Sequence, residues 1–227
     1  MARSNESDRS LGTTRRDFLK ASTVVTSAAV AGTLGARVFA GGSDILRVGM
    51  VGCGGRCAGA AAEALTADPG ARLVAMCDIF MDRVKDKRRI LKEQRGDQVL
   101  VDDDHCFVGF NGYKHVIESS DVVLIANAAK FHPLQAMTAV KAGKHVFVEK
   151  PHGIDPAGVR LMAAAAKLAK EKGLCFVSGL HSRYDTRYAE TVQRIHDGAI
   201  GEVISIEENF LRGPYGIIDR KPGLTEL

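Results

Sequence analysis

The sequence has no tryptophan, no internal repeat and no low-complexity linker. Nor does it hold an uninterrupted, strongly apolar run of the roughly 20 residues that a bilayer-spanning helix needs, so stable membrane insertion is not expected. Its five cysteines (Cys53, Cys57, Cys77, Cys106 and Cys175) are an odd number without paired zinc-ligand spacing. They read as small buried residues, with no metal site and no disulfide framework expected. A one-sided charge is missing from most of the chain. Residues 1–40 carry six basic and three acidic residues, whereas from residue 41 onward 25 basic residues face 24 acidic ones. The formal net charge of +4 therefore belongs to the amino-terminal stretch, and a nucleic-acid partner loses its compositional support. What is present, 227 residues of which 45% are apolar and 26% charged, suffices for one large or two small domains and excludes a disordered or collagenous chain.

Thr14-Arg15-Arg16-Asp17-Phe18-Leu19-Lys20 has the form of a twin-arginine export signal. An uncharged stretch rich in Ala, Val, Ser, Thr and Gly follows over 21–36, and Val38-Phe39-Ala40 offers the small residues that a signal peptidase reads. Residues 1–40 are thus expected to be a signal recognised by the twin-arginine machinery, with a periplasmic or otherwise exported destination. That route carries proteins already folded, often with a cofactor in place.

From residue 45 short apolar runs alternate with stretches of helical spacing. Strands are predicted over 45–51, 72–77, 122–126, 145–148 and 174–178, and helices over 58–67, 81–95, 134–142 and 156–172. Continuous apolar runs divided by helices signal a parallel sheet covered on both faces, a doubly wound α/β (Rossmann) domain over 41–179. Gly143 and Gly173 follow helical stretches, where a left-handed cap is easiest for glycine. After residue 179 a helix over 185–197 and an alternating strand over 203–210 begin a second α+β domain, 180–227. One strand makes no sheet, so this substrate or oligomerisation domain is expected to be incomplete.

The first predicted strand runs into Gly52-Cys53-Gly54-Gly55-Arg56-Cys57 and then a helix. In a dinucleotide-binding loop the first glycine makes the turn, the second admits the pyrophosphate and the third packs helix on strand. Gly52 and Gly54 fill the first two roles and Cys57 the third, while the backbone of Cys53, Gly54 and Gly55, the helix terminus and the Arg56 charge would hold a diphosphate. Asp78, at the end of the next strand, is placed for the adenosine ribose hydroxyls. Its charge favours NAD over NADP, no Arg or Lys following immediately. Asn127, Ala128 and His132, after the strand over 122–126, and Glu149-Lys150, after the strand over 145–148, point toward the same crevice. A lysine there can hydrogen-bond a substrate oxygen and stabilise negative charge during hydride transfer. Asp102-Asp103-Asp104-His105 reads as a solvated acidic loop.

The Gly-rich loop, Met76-Cys77-Asp78, the segment Ala142-Gly-Lys-His-Val-Phe-Val-Glu-Lys-Pro151 and the stretch from Arg183 to Val203 together resemble the Gfo/Idh/MocA family of NAD(P)-dependent sugar and inositol oxidoreductases. The resemblance runs from about residue 45 to 212. It implies Lys150 as the catalytic residue beside nicotinamide and substrate, Glu149 beside the nicotinamide ribose, and a homo-oligomeric full-length form. The family often has Thr-Pro or Asn-Pro after the strand over 122–126, where this chain has Asn127-Ala128-Ala129. His181 and Arg183 either face the crevice and touch substrate or serve as surface or hinge residues. Members generally take a catalytic Asp and His from further along the second domain, a region expected beyond residue 227. The implied activity is an exported oxidoreductase acting on a sugar or polyol. Its alternatives are an NAD-dependent glycosidase of the same family and a non-catalytic dinucleotide-binding fragment.

Overall fold

The computed structural model describes residues 45–211 and Gly213; the expected export signal lies outside them, as does most of the chain after residue 211. Six strands, β1 (Leu46–Val51), β2 (Ala71–Asp78), β3 (Cys106–Val108), β4 (Val122–Ile125), β5 (His145–Glu149) and β6 (Phe176–Gly179), form one sheet in the order β3-β2-β1-β4-β5-β6. Every neighbouring pair is parallel. The helices are α1 (Gly55–Ala67), α2 (Met81–Arg95), α3 (Gly112–Ser119), α4 (His132–Lys141), α5 (Pro156–Glu171) and α6 (Thr186–His196).

Strands covered on both faces must be apolar on both. Met50 and Leu124 pack with Leu73 and Met76 against Leu65 of α1 and Val84 and Leu91 of α2. On the opposite face Val51, Val123, Ile125 and Val148 meet Val116 and Ile117 of α3, Ala139 and Val140 of α4 and Met162 of α5. Each such large side chain, fully buried, contributes about 1.5–3 kcal/mol. Helix ends follow local chemistry. The Asp155 carboxylate accepts the Gly158 N–H at 2.6 Å ahead of α5, and that of Asp185 accepts the Arg187 N–H at 2.9 Å ahead of α6. Gly143 and Gly173 close α4 and α5 at φ +76° and +67°, the left-handed caps their positions predict.

Three sequence expectations change. The stretch over 96–121, for which the spacing predicts no strand or helix, contains β3 and α3. A three-residue strand is too short to show alternation, and α3 starts without a side-chain cap. The stretch over 203–210 is not a strand: it has no regular structure, and Ile204 and Phe210 are 94% and 82% exposed. Alternation marks the two faces of a strand, but hydrogen bonds to a neighbour make it one, and no described strand lies beside it. Cys175, expected to be buried, is exposed just before the edge strand β6, while Cys53, Cys57, Cys77 and Cys106 are buried and free. No described helix is long and apolar enough to cross a membrane, and no described cluster of His, Cys, Asp and Glu could hold a metal ion.

Candidate functional site

Strand order reverses between β1 and β4, so the crevice opens beyond their carboxyl ends. There Gly52 turns the chain at φ +96°, and its N–H donates to the Cys77 carbonyl at 2.8 Å. A Cβ on Gly52 would stand 2.8 Å from the Asn127 Cβ, so the turn and the close approach of the β4 loop both require glycine. Gly54, at the N-cap of α1, supplies no side-chain cap, and neither Gly54 nor Gly55 has any atom within 4 Å of where a Cβ would be. With no side chain capping them, the first N–H groups of α1 remain available to an anion.

A cleft of about 260 Å³ begins at this loop, lined by Gly52, Gly54, Asp78, Arg83, Asn127 and Ala128 among others. Its apolar walls are Ile79, Phe110, Tyr113 and Phe131. The Asp78 carboxylate at the end of β2 accepts the Cys53 N–H at 2.7 Å and the Phe80 N–H at 3.2 Å. Each carboxylate oxygen has a further lone pair free, so two ribose hydroxyls can still donate to it. Two buried side-chain oxygens, Asn127 Oδ1 and Gln135 Oε1, have no hydrogen-bond partner among the described residues. Loop, carboxylate and apolar walls together suit an adenosine diphosphate group, with the diphosphate on the α1 terminus and the ribose on Asp78.

Other expected residues lie differently. The Cys53 N–H is committed to Asp78 and its thiol is buried, so it offers a diphosphate less than the loop pattern suggests. Burial pushes the thiols of Cys53, Cys57 and Cys77 well above the usual cysteine range, which makes them packing groups, not nucleophiles. His132 is 1% exposed: its Nδ1 lies 2.9 Å from the Pro151 carbonyl and its Nε2 lies 3.1 Å from the Asn127 carbonyl. It braces the loop after β4 against the loop after β5 and does not line the cleft.

Glu149 is buried at the end of β5, where Arg56 Nε donates to its Oε1 at 2.5 Å. Lys150 follows, exposed and without a carboxylate partner among the described residues, its peptide bond to Pro151 cis. A second hollow of about 290 Å³ holds His181 with Arg56 and Gly179, whereas Arg183, also exposed, does not line it. The sequence reading missed Tyr113 and Gln135, which look like ordinary core positions of α3 and α4. It also missed Arg83, in the first turn of α2 with its guanidinium 5.0 Å from the centre of the Phe80 ring.

A family model described as an oxidoreductase family with an NAD-binding Rossmann fold, Gfo/Idh/MocA, matches residues 46–179. The dTDP-3,4-didehydro-2,6-dideoxy-alpha-D-glucose 3-reductase of Actinomadura kijaniata is 29% identical over 172 residues, 74% of this chain and 46% of its own. Glycosyl hydrolase family 109 protein 1 of Bacteroides fragilis is 27% identical over 171 residues, 74% of this chain and 35% of its own. Among solved structures, myo-inositol 2-dehydrogenase from Lactobacillus plantarum matches with a TM-score of 0.55 and 28% identity, over 70% of this chain and 43% of its own. A 3-ketoreductase from Actinomadura kijaniata, in complex with NADP and TDP-benzene, matches with a TM-score of 0.52 and 26% identity, over 70% of this chain and 44% of its own. The chain thus spans less than half the length of these relatives.

Proposed function

The chain belongs to the Gfo/Idh/MocA oxidoreductase family, and from that membership we propose that it transfers hydride between a sugar or inositol-like polyol and a nicotinamide dinucleotide. The cleft that joins the open α1 terminus to the Asp78 carboxylate carries this reading. Gly52, Gly54 and Gly55 hold the diphosphate by their backbone, Asp78 the adenosine ribose, and Asn127 and Ala128 line the way to the nicotinamide. Asp78 favours NAD, since a 2′-phosphate would meet its charge. When bound, the dinucleotide supplies the hydride donor or acceptor. Lys150 hydrogen-bonds the substrate hydroxyl or carbonyl and stabilises the negative charge that develops on its oxygen. His181, beside Arg56 and Gly179 in the second hollow, is the candidate substrate contact of the later segment.

The proposed cofactor domain is 41–179, with 180–227 belonging to a second, substrate or oligomerisation domain. Residues 1–40 are proposed as the export signal, which gives a periplasmic or exported location. A second reading, an NAD-dependent glycosidase that oxidises, eliminates and reduces back, is favoured by the likeness to the Bacteroides fragilis glycosyl hydrolase. One experiment tests both. The chain is incubated with NAD and a panel of sugars, polyols and nitrophenyl glycosides. NADH formation on a free sugar or polyol supports the dehydrogenase, nitrophenol release without net NADH supports the glycosidase, and failure to bind NAD rejects both.

A further inference from the structure

We propose that Arg56 is a positioning residue for Glu149, acting on the nicotinamide half of a bound dinucleotide through that carboxylate and not as a direct contact to the diphosphate. The proposal rests on the cleft being a dinucleotide site and adds to it the division of labour between its two charged groups. Arg56 sits in the first turn of α1, where the loop pattern places it near a diphosphate. Its guanidinium is turned to the end of β5 instead: Nε donates to Glu149 Oε1 at 2.5 Å, and Nη1 lies 3.7 Å from Glu63. The Arg56 side chain is half exposed, whereas that of Glu149 is 7% exposed. A buried carboxylate that loses its cation is strongly destabilised, so the pair holds Arg56 more firmly than its own exposure suggests. The hydrogen bond that Arg56 donates to Glu149 correspondingly holds its guanidinium above the usual arginine range.

Two further features fix the carboxylate. The Lys150 N–H donates to Glu149 Oε2 at 3.2 Å. Gly179 lies opposite Glu149 in the β5–β6 register, and a Cβ there would stand 2.6 Å from Oε1 and 3.0 Å from Oε2. The carboxylate therefore lies over a bare Cα on β6, with Arg56 on one side and the backbone of Lys150 on the other. Arg56 Nε is committed to this buried anion, so only its Nη groups are left for any other ligand. The diphosphate has another partner, because α1 starts beside the cleft at Gly54 with its first N–H groups uncapped.

The two roles separate by ligand. ADP ends at the diphosphate, whereas NADH continues to a nicotinamide ribose, which this proposal sets beside Glu149. Titration calorimetry of the full chain with each ligand compares the natural protein with Arg56→Met, Arg56→Lys and Gly179→Ala. Arg56→Met is expected to weaken NADH by about tenfold more than ADP, the scale of losing one charge-assisted hydrogen bond. Arg56→Lys should recover most of that difference. Gly179→Ala, which displaces the carboxylate with Arg56 intact, should reproduce the NADH-selective loss, and ADP binding in the same samples reports an intact fold. Equal losses for ADP and NADH in Arg56→Met, or none for either, overturn the assignment. A natural chain that binds neither ligand overturns the dinucleotide reading and this proposal with it.

Discussion

Asp78 and Arg83 line one cleft with opposite charges, and NADP differs from NAD by a single phosphate, which the proposed ribose site at Asp78 would set beside them. Asp78 is held by two backbone N–H groups, while Arg83 rests over Phe80 with no carboxylate partner among the described residues. The fixed carboxylate should dominate, making NAD the tighter ligand, with Arg83 supplying what tolerance of NADP there is. Replacing Arg83→Ala is expected to lower the NADP-to-NAD affinity ratio by about tenfold, the scale of one charge-assisted contact, and Asp78→Asn to raise it. Dissociation constants for both ligands decide this, and an unchanged ratio in Arg83→Ala rejects the assignment. For Lys150→Met, turnover should fall by about 10²–10³-fold, the worth of one group stabilising charge in the transition state. Asp78 was legible as a residue of the cleft because it ends β2 at the carboxyl edge of the sheet, whereas Lys150 follows β5 and does not line the cleft. Arg83 was not legible, because it reaches the cleft from the first turn of the helix after β2. His132 was legible as belonging to the region but not as a brace, since only the fold brings Pro151 and Asn127 to its two nitrogens.

Among the elements, strands were read most securely where apolar runs are continuous, as in β1, β4 and β5. Those runs follow from burial on two faces, a demand that β3 is too short to display. The helix after β5 was read over 156–172 from its helical spacing, and the Asp155 cap that the structure adds offers a test: Asp155→Ala is expected to cost about 1 kcal/mol in denaturant unfolding. The sheet carries a second test where β1 and β4 begin. Arg47 donates to both oxygens of Asp121, at 3.1 and 2.6 Å, and its N–H donates as well, at 3.0 Å. These bonds hold the Asp121 carboxyl below its ordinary value of 3.8. A depressed carboxyl stabilises the fold fully above its unfolded value and loses that contribution as the pH falls through the folded one. Asp121→Asn should therefore cost up to about 1 kcal/mol near neutrality, a figure limited by the exposure of the pair. Its cost should shrink as the pH falls below 3.8 and vanish once the native carboxyl is protonated. A penalty independent of pH would show that packing, not the ion pair, is lost.

At the scale of the whole chain, the excess of positive charge and the family match lie in different segments. The family match covers 46–179 and the described residues begin at 45, whereas the excess of positive charge lies within 1–40. The proposed signal, a basic stretch ahead of the Rossmann domain, suits a route that accepts folded proteins, because a cleft built from the loops after four different strands exists only after folding. Export should then depend on two independent features. Replacing Arg15 and Arg16 with lysines keeps the charge but removes the guanidinium pair, and is expected to retain the chain in the cytoplasm. Leu73→Ala keeps the signal intact but opens a cavity in the core, costing about 2–5 kcal/mol, and is expected to lower the exported fraction by raising the unfolded population. Fractionation of cells expressing each variant, with NADH binding measured on the exported material, checks both. Equal export of the natural chain and the lysine variant would remove the signal from the proposed function. Equal export of the natural chain and Leu73→Ala, with the expected loss of stability confirmed, would show that the route does not depend on the fold.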